Sequence, residues 1–181
     1  MKPENKVFIA RSLDGYITDR NGGLDWLHAV PNPEQLDMGY EKFIGGVDAI
    51  VMGRNTFDTV CGFDMEWPYK LPVFVLSGTL RKVPVDLKNK VEIAAGPLSE
   101  ILVKIHSKGY YRLYIDGGKT VQNFLREDLI DELIITTIPI LLGGGAPLFS
   151  GLPRELEFEL LESSVYLDAL VQNTYRRRRS R

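Results

Sequence analysis

Short apolar runs separated by turn residues mark out most of the chain. Residues 6–10 (KVFIA), 48–52 (DAIVM), 72–76 (PVFVL), 91–94 (VEIA), 112–115 (RLYI) and 133–137 (LIITT) are rich in β-branched residues and read as strands. The first three are apolar without alternation, as strands covered on both faces are, so a largely parallel sheet flanked by helices is predicted. Leu36, Tyr40, Phe43 and Ile44 fall at i, i+4, i+7 and i+8 and predict one amphipathic helix. Leu98, Ile101, Leu102 and Ile105 predict a second, behind Pro97 in a first-turn position. A third, over 119–126, starts after Gly117-Gly118 and turns Val121, Phe124 and Leu125 inward. Residues 156–175 lack a helical period, and their halves about Ser163-Ser164-Val165 read as a long antiparallel pair closing the sheet edge. The prediction is a three-layer α/β fold, a mostly parallel central sheet with antiparallel C-terminal edge strands.

Composition narrows this picture. With 181 residues, 44% hydrophobic and 25% charged, the chain has the means to build one sizeable core, and neither a repeat nor a composition shift divides it. We expect a single domain over 1–176 and a basic, frayed tail over 177–181. The net charge is -2, but five arginines lie in the last six residues, and without them 17 basic groups face 24 acidic ones. That balance argues against nucleic acid as a partner. One cysteine, Cys61, rules out an intrachain disulfide and suits a reducing, cytoplasmic compartment. Residues 1–12 lack a signal-peptide core, and the greasiest stretch, 134–142, is far short of the ~20 residues that span a bilayer, so no membrane partner is expected.

Three strand ends carry candidate chemistry. Gly53 and Arg54 stand where a buried strand ends, with Thr56 at the start of a short helix, a setting in which helix-start N–H groups, a hydroxyl and a guanidinium can meet a phosphate. Gly117-Gly118 lies between a strand and a helix start with Lys119 alongside, which suits close approach of a pyrophosphate or else a tight turn needing positive φ. Ser77-Gly78-Thr79 follows a third strand and offers hydroxyls to a phosphate or ribose. Ligands bind at such ends in open α/β sheets, and a dinucleotide is long enough to cross several of them. No Gly-x-Gly-x-x-Gly fingerprint is present, which disfavours an ordinary Rossmann site.

Read together, Met52-Gly-Arg-Asn-Thr-Phe57, Val75-Leu-Ser77, Ile115-Asp-Gly-Gly-Lys119 and Asp14-Gly-Tyr-Ile17 resemble dihydrofolate reductase in order along the chain. The tract Pro139-Ile-Leu-Leu-Gly-Gly-Gly-Ala-Pro-Leu-Phe149 is similar to the reductase domain of bifunctional riboflavin-biosynthesis deaminase-reductases, which shares that fold. The resemblance implies a dihydrofolate-reductase-like fold and an NADPH-dependent oxidoreductase. Its substrate would be a pteridine or a 5-amino-6-ribosylaminouracil phosphate; a cofactor-binding sensor or scaffold without turnover is the alternative. By motif match, Gly53, Arg54, Asn55 and Thr56 would serve the phosphates, Leu76, Ser77, Gly78 and Lys119 the adenosine-phosphate end, and Gly117, Gly118, Lys119 and Thr120 the pyrophosphate. Ala10 and Ile17 would flank the nicotinamide under a loop over 14–26, and a cis peptide is implied within Asp116-Gly117-Gly118.

For the substrate, the resemblance points to Asp37 as the catalytic carboxylate that holds a ring edge, with Tyr40 on the same helix face and Trp26 in the loop. Asp37 is otherwise a first-turn acid, and Trp26 an anchor of its loop. Two positions depart from the family, Glu41 at a usually apolar wall and Asp116 in place of a glycine. His28 and His106 lack neighbours at metal-ligand spacing, and no metal is expected. Apolar residues over 139–149 predict a homodimer.

Overall fold

The computed structural model describes residues 2–179. Its elements are β1 (Glu4–Ser12), β2 (Tyr16–Thr18), α1 (Tyr40–Ile44), β3 (Ala49–Gly53), α2 (Arg54–Cys61), β4 (Val73–Leu76), β5 (Val91–Ala94), α3 (Leu98–Ser107), β6 (Arg112–Asp116), α4 (Gly118–Arg126), β7 (Glu132–Ile138), β8 (Ala146–Pro147), β9 (Phe158–Tyr166) and β10 (Leu170–Arg177). Eight strands form one sheet in the order β5-β4-β3-β6-β1-β7-β10-β9. All pairs from β5 to β7 are parallel, and β10 adds antiparallel to both β7 and β9. Each predicted strand is present, and the architecture is the predicted one.

Alternate residues of the central strands feed two cores. Val51, Leu113 and Ile115 pack against Ile101, Ile105, Val121 and Phe124 of α3 and α4, while Ile50, Met52 and Tyr114 pack on the other face with Phe43 of α1 and Phe57 of α2. Every one of these is buried, which explains why the strands lack polar alternation. Asp48 fixes how β6 lies beside β3: its carboxylate accepts the Tyr111 and Arg112 N–H groups at 3.0 and 2.8 Å and pairs with the Arg112 guanidinium. The hydrogen bond from Arg112 leads in holding the Asp48 pKa down to about 2. With that register Met52 stands opposite Asp116, so the ends of the two strands are level.

Four expectations are corrected. The helix predicted from Leu36 begins only at Tyr40, because Gln35, Met38 and Gly39 adopt positive φ of 52°, 52° and 87°, and the Asn32 amide closes the preceding loop onto Leu36. Leu36 is 43% exposed and Asp37 lies before the helix, not on it. The C-terminal hairpin turns at Leu167-Asp168, both at φ 53°, rather than at Ser163–Val165, in a three-residue loop closed by the Ala169 N–H on the Tyr166 carbonyl. No peptide among the described residues is cis; Gly117 resolves its turn with φ 86° instead. Finally, the tail is not frayed where it is described. Arg177 belongs to β10, is 7% exposed and grips Asp128 through Nε and Nη2 at 2.7 and 3.0 Å. Arg179 meets Asp131 and the carbonyls of Asp128 and Ile130. Residues 180 and 181 lie outside the described residues.

This pair has a measurable consequence. Burial works against the Asp128 carboxylate, but Arg177, Arg179 and Arg154 together hold its pKa below the usual range. Arg177→Met removes its bidentate partner while leaving two cations nearby, so about 2–3 kcal/mol of stability is lost, somewhat less than for a wholly isolated buried pair. In a chain of this size that is a fall of about 5–10 °C in melting temperature. A depressed carboxylate pKa contributes stability at neutral pH that is lost as pH falls through the folded value, so the gap between variant and wild type narrows in acid. A variant that melts like wild type at neutral pH would show the arginine to be dispensable.

Candidate active site

A cleft of about 1110 Å³ runs across the carboxyl ends of β3, β6 and β1. Its floor comes from sequence that lacks side chains where elements crowd. A Cβ on Gly53 would lie 2.9 Å from Thr120 Oγ1, one on Gly118 would lie 2.8 Å from Ile17 Cδ1, and one on Gly117 would collide with the Thr56 hydroxyl. Gly53 and Gly117 therefore let the starts of α2 and α4 approach each other, Gly118 lets β2 and β8 close on the start of α4, and the free backbone N–H groups of both helix starts face the cleft. Of the residues the sequence assigned to a cofactor, Ala10, Ile17, Gly53, Arg54, Asn55 and Thr56 line this cleft, as do Leu76, Gly117, Gly118, Lys119 and Thr120. Ser77 and Gly78 sit beside it on the loop after β4, where the Ser77 hydroxyl accepts the Thr79 and Leu80 N–H groups. Arg54 reaches that loop, donating to Thr79 Oγ1 at 3.0 Å and to Asp58 at 3.1 Å. The Arg54–Asp58 pair is exposed at i, i+4, worth ~0.3–0.5 kcal/mol, so an incoming phosphate easily takes the guanidinium over.

The loop between β1 and the cleft is latched from the other side. Asp14 accepts the Ser12 hydroxyl at 2.6 Å and the Leu142 and Gly143 N–H groups at 3.1 and 2.7 Å; the Ser12 hydrogen bond leads in lowering its pKa. β2 pairs with β8, and Arg20 donates to the Gly143 carbonyl while its side chain fills the space above Gly144. The three-glycine tract is thus the surface on which this loop rests.

None of the three substrate residues implied by the resemblance, Trp26, Asp37 and Tyr40, lines the cleft. Asp37 is exposed, and its oxygens cap the turn into α1, accepting from Glu41 N at 2.7 Å and Gly39 N at 3.2 Å; those bonds lower its pKa, and it does not line the cleft. Its place near a helix start is what won. Trp26 is buried with Ile138 and Leu170, anchoring a short 3₁₀ turn whose Leu24 and Leu27 face the cleft. Tyr40 packs edge-on over Phe8, its pKa raised by burial and then by Asp116.

The residue that sequence reasoning passed over is Asp116. It ends β6 in the cleft, between Tyr114, Tyr69 and Phe8, with its Oδ1 accepting the Gly117 N–H at 2.8 Å. Burial raises its pKa to about 6, against the pull of that N–H and of the Tyr114 hydroxyl. Tyr114 donates to the Phe8 carbonyl at 3.0 Å, and burial with the nearby Asp116 charge pushes Tyr114 and Tyr69 up as well. The signal was visible as an acid standing where the resembled family has glycine.

Order and geometry together define a dihydrofolate-reductase-like α/β domain. The Enterococcus faecalis dihydrofolate reductase complexed with NADP(H) overlays it with a TM-score of 0.66 at 18% identity, covering 96% of each chain. More narrowly, the chain belongs to the RibD C-terminal domain family, matched over residues 6–171. It is 32% identical to the Bacillus subtilis (strain 168) protein YwjB over 161 residues, 88% of this chain and 90% of that one. A solved Shewanella sp. PV-4 structure, provisionally described as a riboflavin biosynthesis protein, has a TM-score of 0.95 at 55% identity and covers 97% of this chain and 99% of its own. The family supports a reductase-type activity. No helix among the described residues is long and apolar enough to cross a membrane, and among them no cluster of three metal-ligating side chains forms.

Proposed function

We propose that this chain is an NADPH-dependent reductase acting on a C=N bond in a small pteridine- or pyrimidine-type ring. The observation that carries the reading is the close approach of the starts of α2 and α4 beside the cleft, which a Cβ at Gly53 or Gly117 would block. Its backbone donors, with Thr56, Thr120 and Lys119, suit a pyrophosphate, and Arg54 with Ser77, Gly78 and Thr79 suits a further phosphate on the adenosine end. Ala10 and Ile17 would flank the nicotinamide, which when bound supplies the hydride. Asp116, not Asp37, is the proton-handling carboxyl of this reading: half-buried, with its pKa raised to about 6, and lining the same cleft. The loop resting on the Gly143 tract would exclude water from the reacting atoms.

Titration of both cofactors by nicotinamide fluorescence tests the assignment. Wild type should prefer NADPH, and Arg54→Ala should cut that preference ~10-fold or more, the scale of one charge-assisted contact, while NADH affinity barely moves. Lys119→Ala, beside the pyrophosphate, should weaken both cofactors alike. Equal affinity of wild type for the two would refute the Arg54 role. Cofactor binding without oxidation by any pteridine or aminouracil acceptor would instead favour a sensor.

A further inference from the structure

The strands at the carboxyl-terminal edge of the sheet have two unlike faces. β10 pairs Val171, Asn173 and Tyr175 with Thr137, Ile135 and Leu133 of β7, so these side chains share the face on which α3 and α4 pack. Leu160, Ser163 and Val165 of β9 stand opposite Tyr175, Asn173 and Val171 and carry that face to the edge. There the cover gives out. Leu160 and Val165 are 54% and 65% exposed, and Val171 and Leu161, the unpaired residue of the β9 bulge, are exposed as well. Phe149 borders them under the Arg11 guanidinium, which reaches Thr137 on the same face, and Leu152 follows in the segment between Leu148 and Leu156 of the α3/α4 core.

The opposite face of the same strands shows what contact with water requires. Lys6, Glu132, Arg176 and Glu159 stand in register across four strands as a row of alternating charge, with Lys6 and Glu132 3.7 Å apart. The apolar face has no such row. Its charges in these strands are Arg177, held on Asp128, and Arg11, set over the Phe149 ring. Asn173 already donates to the Tyr175 hydroxyl at 3.0 Å and Arg11 to Thr137 Oγ1 at 3.4 Å, so covering the face leaves little polarity unmatched. β9 also lacks the lysine or proline that commonly guards an edge strand. A sheet face that is exposed yet not polar marks an interaction surface.

Area and charge select the occupant. Phe149, Leu152, Leu160, Leu161, Val165 and Val171 together expose the equivalent of nearly three whole side chains, roughly 400–600 Å². A stable dimer buries about 800 Å² per partner, about 65% of it apolar in homodimers, so the patch matches one half of such an interface. With no charge pattern on it, the face offers a foreign partner little to select, whereas an isologous contact matches it with itself. We propose that a second copy of this chain packs on this face, β9 and β10 of one protomer against those of the other, about a two-fold axis near the Val165–Val171 pair. Arg11 is three strands from β9, ~14 Å at the usual strand spacing, so the axis keeps the two guanidinium groups apart. The pairing goes beyond the reductase reading and does not depend on it.

Sedimentation velocity at about 10 μM decides it: wild type should run at twice the mass of one chain. Val165→Glu and Leu160→Glu should each weaken association ~10²-fold or more and shift the protein toward single chains, because symmetry buries each new charge twice. Both sites are exposed in the single chain, so the circular dichroism spectrum should be kept. Glu162→Lys, on the opposite face of β9, should stay dimeric. If one glutamate unfolds the chain, the other variant and the wild-type mass still decide. A wild type that sediments as one chain, which would leave the face to a different partner, or a dimer that persists in both glutamate variants would overturn the proposal. Binding of NADPH by a monomeric wild type would leave the reductase reading standing while removing this one.

Discussion

Asp116→Asn should slow single-turnover NADPH oxidation by ~10² or more with the accepted ring while leaving cofactor affinity nearly unchanged, because it removes the only proton-handling carboxyl proposed for the cleft and none of the phosphate contacts. The pH dependence gives the sign. Burial lifts the Asp116 pKa to about 6, so the carboxyl carries its proton below that value and loses it above. If that proton goes to the ring nitrogen, the wild-type rate declines as pH rises past about 6, and the Asn variant is slow and flat across the same range. Stability should move the other way. An acid whose folded pKa is raised above its unfolded value makes the native state bind more protons, so wild type loses stability as pH climbs from about 4 to about 6. Asn has no charge to bury, and at neutral pH it should stabilise the fold by about 1–3 kcal/mol, the two-unit shift discounted for partial exposure to the cleft. A slower yet more stable enzyme is the joint signature. A variant as active as wild type, or one equally slow but destabilised, would remove Asp116 from the chemistry.

The strands were readable because burial on both faces leaves a local mark. Ile50, Val51 and Met52 are all buried in the sheet, and no polar position interrupts them. The glycine positions were readable for a related reason, since close approach at a strand end excludes side chains whichever elements crowd there. What the sequence concealed depends on partners far along the chain. Asp116 stands out only once Tyr69 and Phe8, remote from it in sequence, line the same cleft. Arg177 looked like part of a solvated charge run, yet its partner Asp128 lies 49 residues away on the loop that follows α4. The stretch before α1 misled in a different manner: the i, i+4 spacing of Leu36 and Tyr40 was real, but Asn32 and a left-handed Gly39 held the chain out of the helix. At the C-terminal hairpin, Leu167 carries no turn signal at all, and the two serines that do are paired within the strands.

Gly117→Ala should abolish measurable NADPH binding while the protein still folds. Gly117 combines φ 86° with ψ 138°, a conformation that costs an alanine about 1–3 kcal/mol before any contact is counted. The added Cβ also collides with the Thr56 hydroxyl, so the starts of α2 and α4 must separate and the facing N–H groups no longer converge on one anion. The two costs can be told apart. In Gly117→Ala/Thr56→Ala the collision is relieved and the backbone strain is not, so the double variant should recover about 1–2 kcal/mol relative to the sum of the single changes, a coupling of the size expected for residues in direct contact. Gly118→Ala is the control. Its φ is not in the left-handed region, and its Cβ would meet the end of the Ile17 side chain, which can rotate away, and the Pro147 carbonyl at 3.2 Å, a lesser overlap than at Gly117, so a milder loss of affinity is expected there. Chemical denaturation and cofactor titration on wild type, Gly117→Ala, Thr56→Ala, the double variant and Gly118→Ala provide the measurement. If Gly117→Ala binds NADPH like wild type, the cradle between α2 and α4 is not where the cofactor's pyrophosphate sits, and the functional reading loses the geometry on which it stands.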